Sequence, residues 1–330
     1  MKVVFCGTPQ FAVPTLKHLL TRSDFEIAAV VTQPDRPSGR GMHVSFSPVK
    51  EAALAAGVPV LQPEKIRSPE AQEFLQRVAP ECIVIIAYGQ IIPARLLPIP
   101  KHGWINLHAS LLPKYRGAAP INWAIVNGET KSGLTTMRID AGMDTGDMLL
   151  QTEVSIGPQE TTPELAARMA DAGAPLMVDT LRGLADGTLP ARPQDHGKAT
   201  YAPLLKKEDG RIDWTRTANE IYNRMRGFTP WPGSYTTFRG RTCHVLGEPV
   251  SNDLSGVGSP HATQASLAKS PTEVSPPGTI RFSGHKLFVA CGDATEIRVV
   301  SVKQEGGKKV DALEFASGAR LTEGERFVNT

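Results

Sequence analysis

Apolar residues follow two rhythms along this chain. In the first half, short continuous apolar runs alternate with segments whose apolar residues recur every three or four positions. The run Lys2-Val3-Val4-Phe5-Cys6 stops at Gly7, and residues 26–32 (EIAAVVT) form a second. Residues 82–87 (CIVIIA) carry the strongest signal, because an unbroken apolar run suits a strand covered on both faces. Residues 103–107 (GWINL) and 133–139 (GLTTMRI) are predicted as further strands. Between them lie helix signals. Thr8 is predicted to cap a helix with Pro9 at its first position, running to about residue 21. Ser47-Pro48 opens another that stops at Gly57. Thr161-Thr162-Pro163-Glu164 opens a long one reaching about residue 185. This alternation predicts a doubly wound α/β sheet.

The second half reads differently. Residues 187–206 are mostly Pro, Gly and polar and are predicted as a linker between a first domain, 1–186, and a second, 207–330. One helix is expected at 216–226. Short strands are expected at 234–238, 242–246, 278–282, 286–290 and 295–302, a spacing that suits a small β-barrel. Residues 251–278 interrupt it. Fifteen of these 28 are Ser, Thr, Pro or Gly, so a flexible insertion is expected.

Composition narrows the class. At 330 residues, two domains are expected. Apolar residues make up 41% and charged residues 21%, which excludes a wholly disordered chain. No apolar stretch reaches the roughly 18 residues of a membrane span, and the start does not read as a signal peptide. Cys6, Cys82, Cys243 and Cys291 stand alone, as reduced core residues of a cytoplasmic protein would. The net charge of +3 neither announces nor excludes a nucleic-acid partner; only clustering of the basic residues decides that.

Candidate chemistry concentrates in residues 104–120. The loop after the first strand, G-T-P-Q-F-A, is not a dinucleotide fingerprint and reads as a tight turn or an anion contact. Asn106 and His108 are two apart on a strand, so both side chains project to one face. They stand near its C-terminal end, where open α/β sheets place ligands. An Asn amide can donate to a developing oxyanion, and a His can relay a proton near neutral pH. A polar pair capping a strand end is the plainer alternative. The loop Asp140-Ala141-Gly142-Met143-Asp144-Thr145-Gly146-Asp147 leaves three readings open: a metal site without EF-hand spacing, an Asp that orients a His, or simple turn chemistry.

Taken together, Asn106-x-His108, SLLPKYRGAAPI and DAGMDTGDM resemble the folate-dependent formyltransferases. The segments FCGTPQFAVPTL, TQPDRPSGRG, Ser47-Pro48-Val49-Lys50, Ala87-Tyr88-Gly89-Gln90 and Arg211-Ile212-Asp213-Trp214 are similar to the branch of that family that acts on methionyl-tRNA. The resemblance covers nearly the whole chain. It implies a Rossmann-like formyltransferase domain followed by an OB-like barrel that binds tRNA. It implies transfer of a formyl group from 10-formyltetrahydrofolate to the amino group of initiator methionyl-tRNA, by a monomer and without a metal. Asn106 and His108 would stabilise the oxyanion, and Asp144 would hold His108. Ser110, Leu111, Leu112 and Pro113 would contact the folate, with Ile86, Tyr88, Gly89, Ile91 and Ile92 beside the pterin.

For the RNA, the resemblance implies a loop at 33–47 that enters the acceptor arm through Arg36 and Arg40, with Gly39 and Gly41 beside Arg40. No lysine follows Gly41 before Lys50. Residues 207–330 carry 16 Lys+Arg against 14 Asp+Glu, so phosphate contacts on the barrel must come from a local stripe. Lys206, Lys207, Arg211, Lys303, Lys308 and Lys309 are the candidates. The catalytic triplet alone does not separate a tRNA acceptor from a small amine on a nucleotide or an amino sugar. Its presence argues against a non-catalytic folate- or RNA-binding protein.

Overall fold

A computed structural model describes residues 1–38, 43–250 and 275–329. Its contacts divide into two units: residues 1–124 with 129–204, and residues 125–128 with 205–330. Among the described residues, no helix is long and apolar enough to cross a membrane.

The first unit is built on one sheet. Its strands are β1 (Lys2–Gly7), β2 (Glu26–Val31), β3 (Val60–Leu61), β4 (Cys82–Ile86), β5 (Trp104–His108), β6 (Lys131–Arg138) and β7 (Met148–Ser155). They lie in the order β7-β6-β5-β4-β1-β2-β3. The five from β5 to β3 run parallel, as the apolar runs predicted. The GLTTMRI strand departs from that rule: β6 is antiparallel to both β5 and β7, so one edge of the sheet is mixed. The order reverses between β1 and β4, and the loops leaving these two strands meet at that switch point.

Helices α1 (Val13–Leu20), α2 (Pro48–Ala55), α3 (Pro69–Val78), α4 (Pro120–Val126) and α5 (Thr162–Ala185) belong to this half of the chain. Ser47 caps α2 by accepting from the Lys50 amide, and Thr161 with Glu164 forms the capping box of α5. Thr8 does not cap a helix. A 3₁₀ turn, Gln10–Ala12, precedes α1, and the Thr8 hydroxyl instead donates to the Tyr88 carbonyl at 3.1 Å. A tertiary partner has displaced the local cap. One core cluster joins Val4, Cys6, Ile83, Ile85, Tyr88, Leu75 and Trp104 between the sheet and α3.

The second unit holds α6 (Ala218–Gly227), β8 (Tyr235–Phe238), β9 (Arg241–Pro249), β10 (Ile280–Ser283), β11 (Lys286–Ala290), β12 (Glu296–Gln304), β13 (Lys309–Asp311) and α7 (Ala312–Ala319). The antiparallel order is β8-β9-β12-β11-β10, with β13 added on β12. The chain end then joins the two outer strands. Val328 pairs with Thr237 on β8, while the Phe327 amide reaches the Gly278 carbonyl and the Ile280 amide reaches that of Glu325. A sheet whose edges are tied together in this way is barrel-like, and it leaves fewer unpaired backbone groups. Trp214, Phe238, Phe315 and Phe327 fill the interior with ring centroids 5.6–6.2 Å apart. Residues 251–274 of the expected insertion lie outside the described residues.

All four cysteines are buried and free. Burial pushes the Cys82 and Cys291 thiols up to about 12 and raises Cys6 and Cys243 as well, so none is a ready nucleophile.

Candidate active site

Asn106 and His108 flank Leu107 on β5. Leu107 turns toward α5, where Gly173 lies so close that an added Cβ would stand 2.5 Å from its side chain. A Cβ at that position would force the Leu107 side chain to shift. Strand alternation then sends Asn106 and His108 to the other face, as their spacing predicted. Asn106 is half-buried, and no hydrogen bond to another described residue occupies its amide. Its neighbours across the sheet are Ile85 and Met137.

His108 is buried, and both of its ring nitrogens face defined groups. Nε2 lies 2.9 Å from the Tyr115 carbonyl. A carbonyl can only accept, so Nε2 carries the proton. Nδ1 therefore faces the Asp144 carboxylate, Oδ2 at 3.7 Å, a gap too wide for a direct hydrogen bond.

Asp144 occupies the left-handed region, φ 53°. That conformation is costly for a residue with a Cβ and persists where its surroundings hold it. Here the hold is visible. Asp144 Oδ2 accepts from the Gly117 amide at 2.8 Å. Gln194 Nε2 donates to the carbonyls of Asp144 and Gly146, both at 2.8 Å. Elsewhere in the loop, Asp140 accepts from the Gly142 amide at 3.0 Å and the Thr145 hydroxyl at 2.7 Å. Asp140 and Asp144 thus serve separate hydrogen bonds. Among the described residues, no three His, Cys, Asp or Glu side chains gather as a metal-ligand set.

The turn after β5 is fixed by Thr135 on β6. Its hydroxyl donates to the Ser110 carbonyl at 2.7 Å and accepts from the Leu112 amide at 3.1 Å. Gln151 adds a bond to the Leu112 carbonyl at 3.0 Å. Ser110 is fully buried, and its hydroxyl donates to the Lys114 carbonyl. Leu112 is buried, while Leu111 and Pro113 are half-exposed. Ile86 ends β4 in the core. Tyr88 and Ile92 are also core side chains, and the Tyr88 carbonyl accepts from Thr8 and from Gln33, at 3.1 and 3.0 Å. Of the residues expected beside the pterin, Gly89 and Ile91 are exposed, Ile91 at 92%. Any ligand here meets Ala87, Gly89 and Ile91 rather than the Tyr88 ring.

Strands Arg36–Ser38 and His43–Ser45 pair antiparallel where a loop was expected. Arg36 is exposed on this hairpin, and Arg40 with its flanking glycines lies outside the described residues. Lys50 anchors the hairpin base. It pairs with Asp35, stands 3.9 Å over the Phe46 ring, and together with Gln62 holds the Asp35 carboxyl below its ordinary range. Lys206, Lys207, Arg211, Lys303, Lys308 and Lys309 are all exposed on the second unit. Register places His244 opposite Lys303, and Lys303 opposite Lys309, so three basic side chains form a row across β9, β12 and β13.

Arg116, Gln194, Thr135 and Thr200 were invisible as site residues in the sequence. Arg116 lay inside the quoted SLLPKYRGAAPI stretch without a role, the other three stood outside every motif, and only folding brings the four together.

The first 181 residues match the formyl transferase family model, and residues 204–320 match that of the formyl transferase C-terminal domain. The chain is 51% identical over 328 residues to a protein named methionyl-tRNA formyltransferase from Solibacter usitatus, covering 99% of this chain and 98% of that one. It is 50% identical over 324 residues to one of the same name from Acidobacterium capsulatum, covering 97% of each. Among solved structures, the sugar 3N-formyl transferase WlaRD, described in the presence of dTDP and 5-N-formyl-THF, superposes with a TM-score of 0.61 at 18% identity, covering 91% of this chain and 97% of that one. An N-formyltransferase from Helicobacter canadensis, in complex with folinic acid and dTDP-3-aminofucose, gives 0.62 at 18%, covering 91% and 98%. At that identity the likeness speaks for the fold alone.

Proposed function

The chain belongs to the formyl transferase family, and on that premise we propose that it formylates the amino group of methionine carried on initiator tRNA. The observation that carries this reading is identity of 50–51% over nearly the full length to relatives named for methionyl-tRNA, against 18% to solved structures named for sugar acceptors. The formyl donor is a folate, and the species proposed is 10-formyltetrahydrofolate. Exposed Ala87, Gly89 and Ile91 with half-exposed Leu111 and Pro113 offer the apolar surface a flat pterin needs, beside backbone groups that can read its edge.

The proposed chemistry follows from the atoms on β5. The neutral amine attacks the formyl carbon, and the carbonyl oxygen becomes an oxyanion. The Asn106 amide, which bonds to no other described residue, donates to it. The amine must lose a proton, and the leaving folate nitrogen must gain one. His108 carries its resting proton on Nε2, so Nδ1 is the nitrogen able to take the second. The resulting imidazolium favours the oxyanion and is itself stabilised by the Asp144 carboxylate. His108 then passes the proton to the leaving nitrogen, and the C–N bond to folate breaks. Arg36, Arg40, Lys206, Lys207, Arg211 and Lys303 supply the phosphate contacts in this reading.

The test is a transfer assay with labelled formyl donor, comparing charged initiator tRNA, charged elongator tRNA and a nucleotide-linked amino sugar. Formylation confined to the initiator is expected. Transfer to the amino sugar but not to the charged initiator would overturn the reading.

A further inference from the structure

The tripeptide Tyr115-Arg116-Gly117 reaches three separate groups. Tyr115 offers its carbonyl to His108, Gly117 its amide to Asp144, and Arg116 its guanidinium to Gln194. Gln194 lies far along the chain, in the stretch expected to be a linker. That stretch is laid along the first unit. The Arg192 amide and carbonyl pair with Met148. Thr200 accepts from the Tyr115 amide at 2.8 Å, and Tyr201–Ala202 pairs in parallel with Arg116–Gly117. The approach is so close that a Cβ on Gly117 would stand 2.7 Å from the Ala202 carbonyl.

We propose that Gln194, held by Arg116, is a positioning residue for the transfer step: it sets the backbone of the Asp144 loop and thereby the placement of the carboxylate against His108. The inference rests on the roles given to His108 and Asp144 above. The chemistry of the amide makes the arrangement one-way. Arg116 Nε and one terminal nitrogen donate to Gln194 Oε1 at 3.1 and 2.7 Å. Guanidinium nitrogens only donate, so the amide oxygen must face Arg116. The amide nitrogen is then turned to the carbonyls of Asp144 and Gly146, which only accept. Arg116 and Gln194 are both more than nine-tenths buried. Among the described residues no carboxylate pairs with Arg116; its remaining contact is His196 Nδ1 at 3.1 Å. A buried guanidinium directed at a neutral amide leaves the nearby carboxylate of Asp144 free to serve His108. Asp144 meanwhile holds a left-handed backbone that needs external support.

The test uses the full chain and the variants Gln194→Met, Gln194→Glu and Arg116→Lys, with Asp144→Asn as reference. Gln194→Met keeps the length and removes the hydrogen bonds. Gln194→Glu sets a carboxylate oxygen against two carbonyls. Arg116→Lys keeps the charge and loses the fork. A misplacement near 1 Å costs about 10²-fold in rate, so both Gln194 variants should lose ~10- to 100-fold in kcat. Folate affinity and KM for charged tRNA should stay within about threefold, since both side chains are buried and bonded to protein groups. Arg116→Lys should fall between wild type and these. Activities are read well below each variant's unfolding midpoint. A kcat within about twofold of wild type in Gln194→Met would overturn the proposal, as would a loss of folate affinity matching the loss of kcat. Wild-type turnover in Asp144→Asn would instead overturn the catalytic reading beneath it.

Discussion

The end of β5 and the interior of the barrel are organised by opposite means. Around β5, buried polar groups do the holding. His108, Ser110, Arg116, Thr135 and Gln194 are each more than nine-tenths buried, and each is hydrogen-bonded. In the barrel, stacked and edge-on aromatic rings do it, and nearly all the charge is outside. Directional bonds place atoms to fractions of an ångström, at the risk that one lost partner leaves another unsatisfied. Apolar packing supplies bulk stability without fixing any reacting group. The first suits a site where a bond is made and broken. The second suits a platform that presents a surface to a large partner.

The sharpest break in that contrast comes at Asn106. Asn106→Ala should fold normally and lose about 10²–10³ in kcat, the usual cost of one oxyanion donor, in a single-turnover assay. Turnover near wild type would remove Asn106 from the mechanism. In the barrel, Phe327→Ala should destabilise the second unit by about 3–5 kcal/mol in denaturant unfolding of the full chain, because it empties the centre of the aromatic cluster. Thr135→Val tests the polar side by stability. It strips the hydroxyl from the Ser110 and Leu112 bonds and should cost about 1–3 kcal/mol, with a higher KM for folate as the 110–113 turn loosens. If Thr135→Val proves as harmless as a surface change, the hydrogen-bonded hub is not what holds that turn.

Smaller effects belong to the barrel surface. Lys303→Ala should lower the salt slope of tRNA binding by about one, equally for every tRNA, if Lys303 meets one phosphate. An unchanged slope would take it out of the interface. The smallest is a pH effect at His244. Partial burial, then Lys303 and Lys207, hold its pKa below the ordinary 6.5. The unfolded chain therefore binds that proton more readily. Stability from neutral His244 is present above 6.5 and lost as pH falls through the lowered value. His244→Gln should flatten that acid-side decline in a pH series of thermal unfolding.

Much of this was legible from residue order. Unbroken apolar runs marked β1, β2 and β4, since a strand buried on both faces has no polar positions to show. The long helix α5 was foreseen because its capping box and proline are local features that need no partner. Asn106 and His108 shared a face because strand alternation is a property of the backbone. Tertiary structure decided the rest. It turned β6 antiparallel, took Thr8 from a cap to the Tyr88 carbonyl, and laid the presumed linker along the site. Gln194 stands 50 residues from Asp144. No periodicity or motif connects two residues at that separation; the connection exists only where the amide and the carbonyls it bonds are brought to 2.8 Å. Local chemistry therefore marked the candidate groups of the site, and long-range packing chose the groups that hold them.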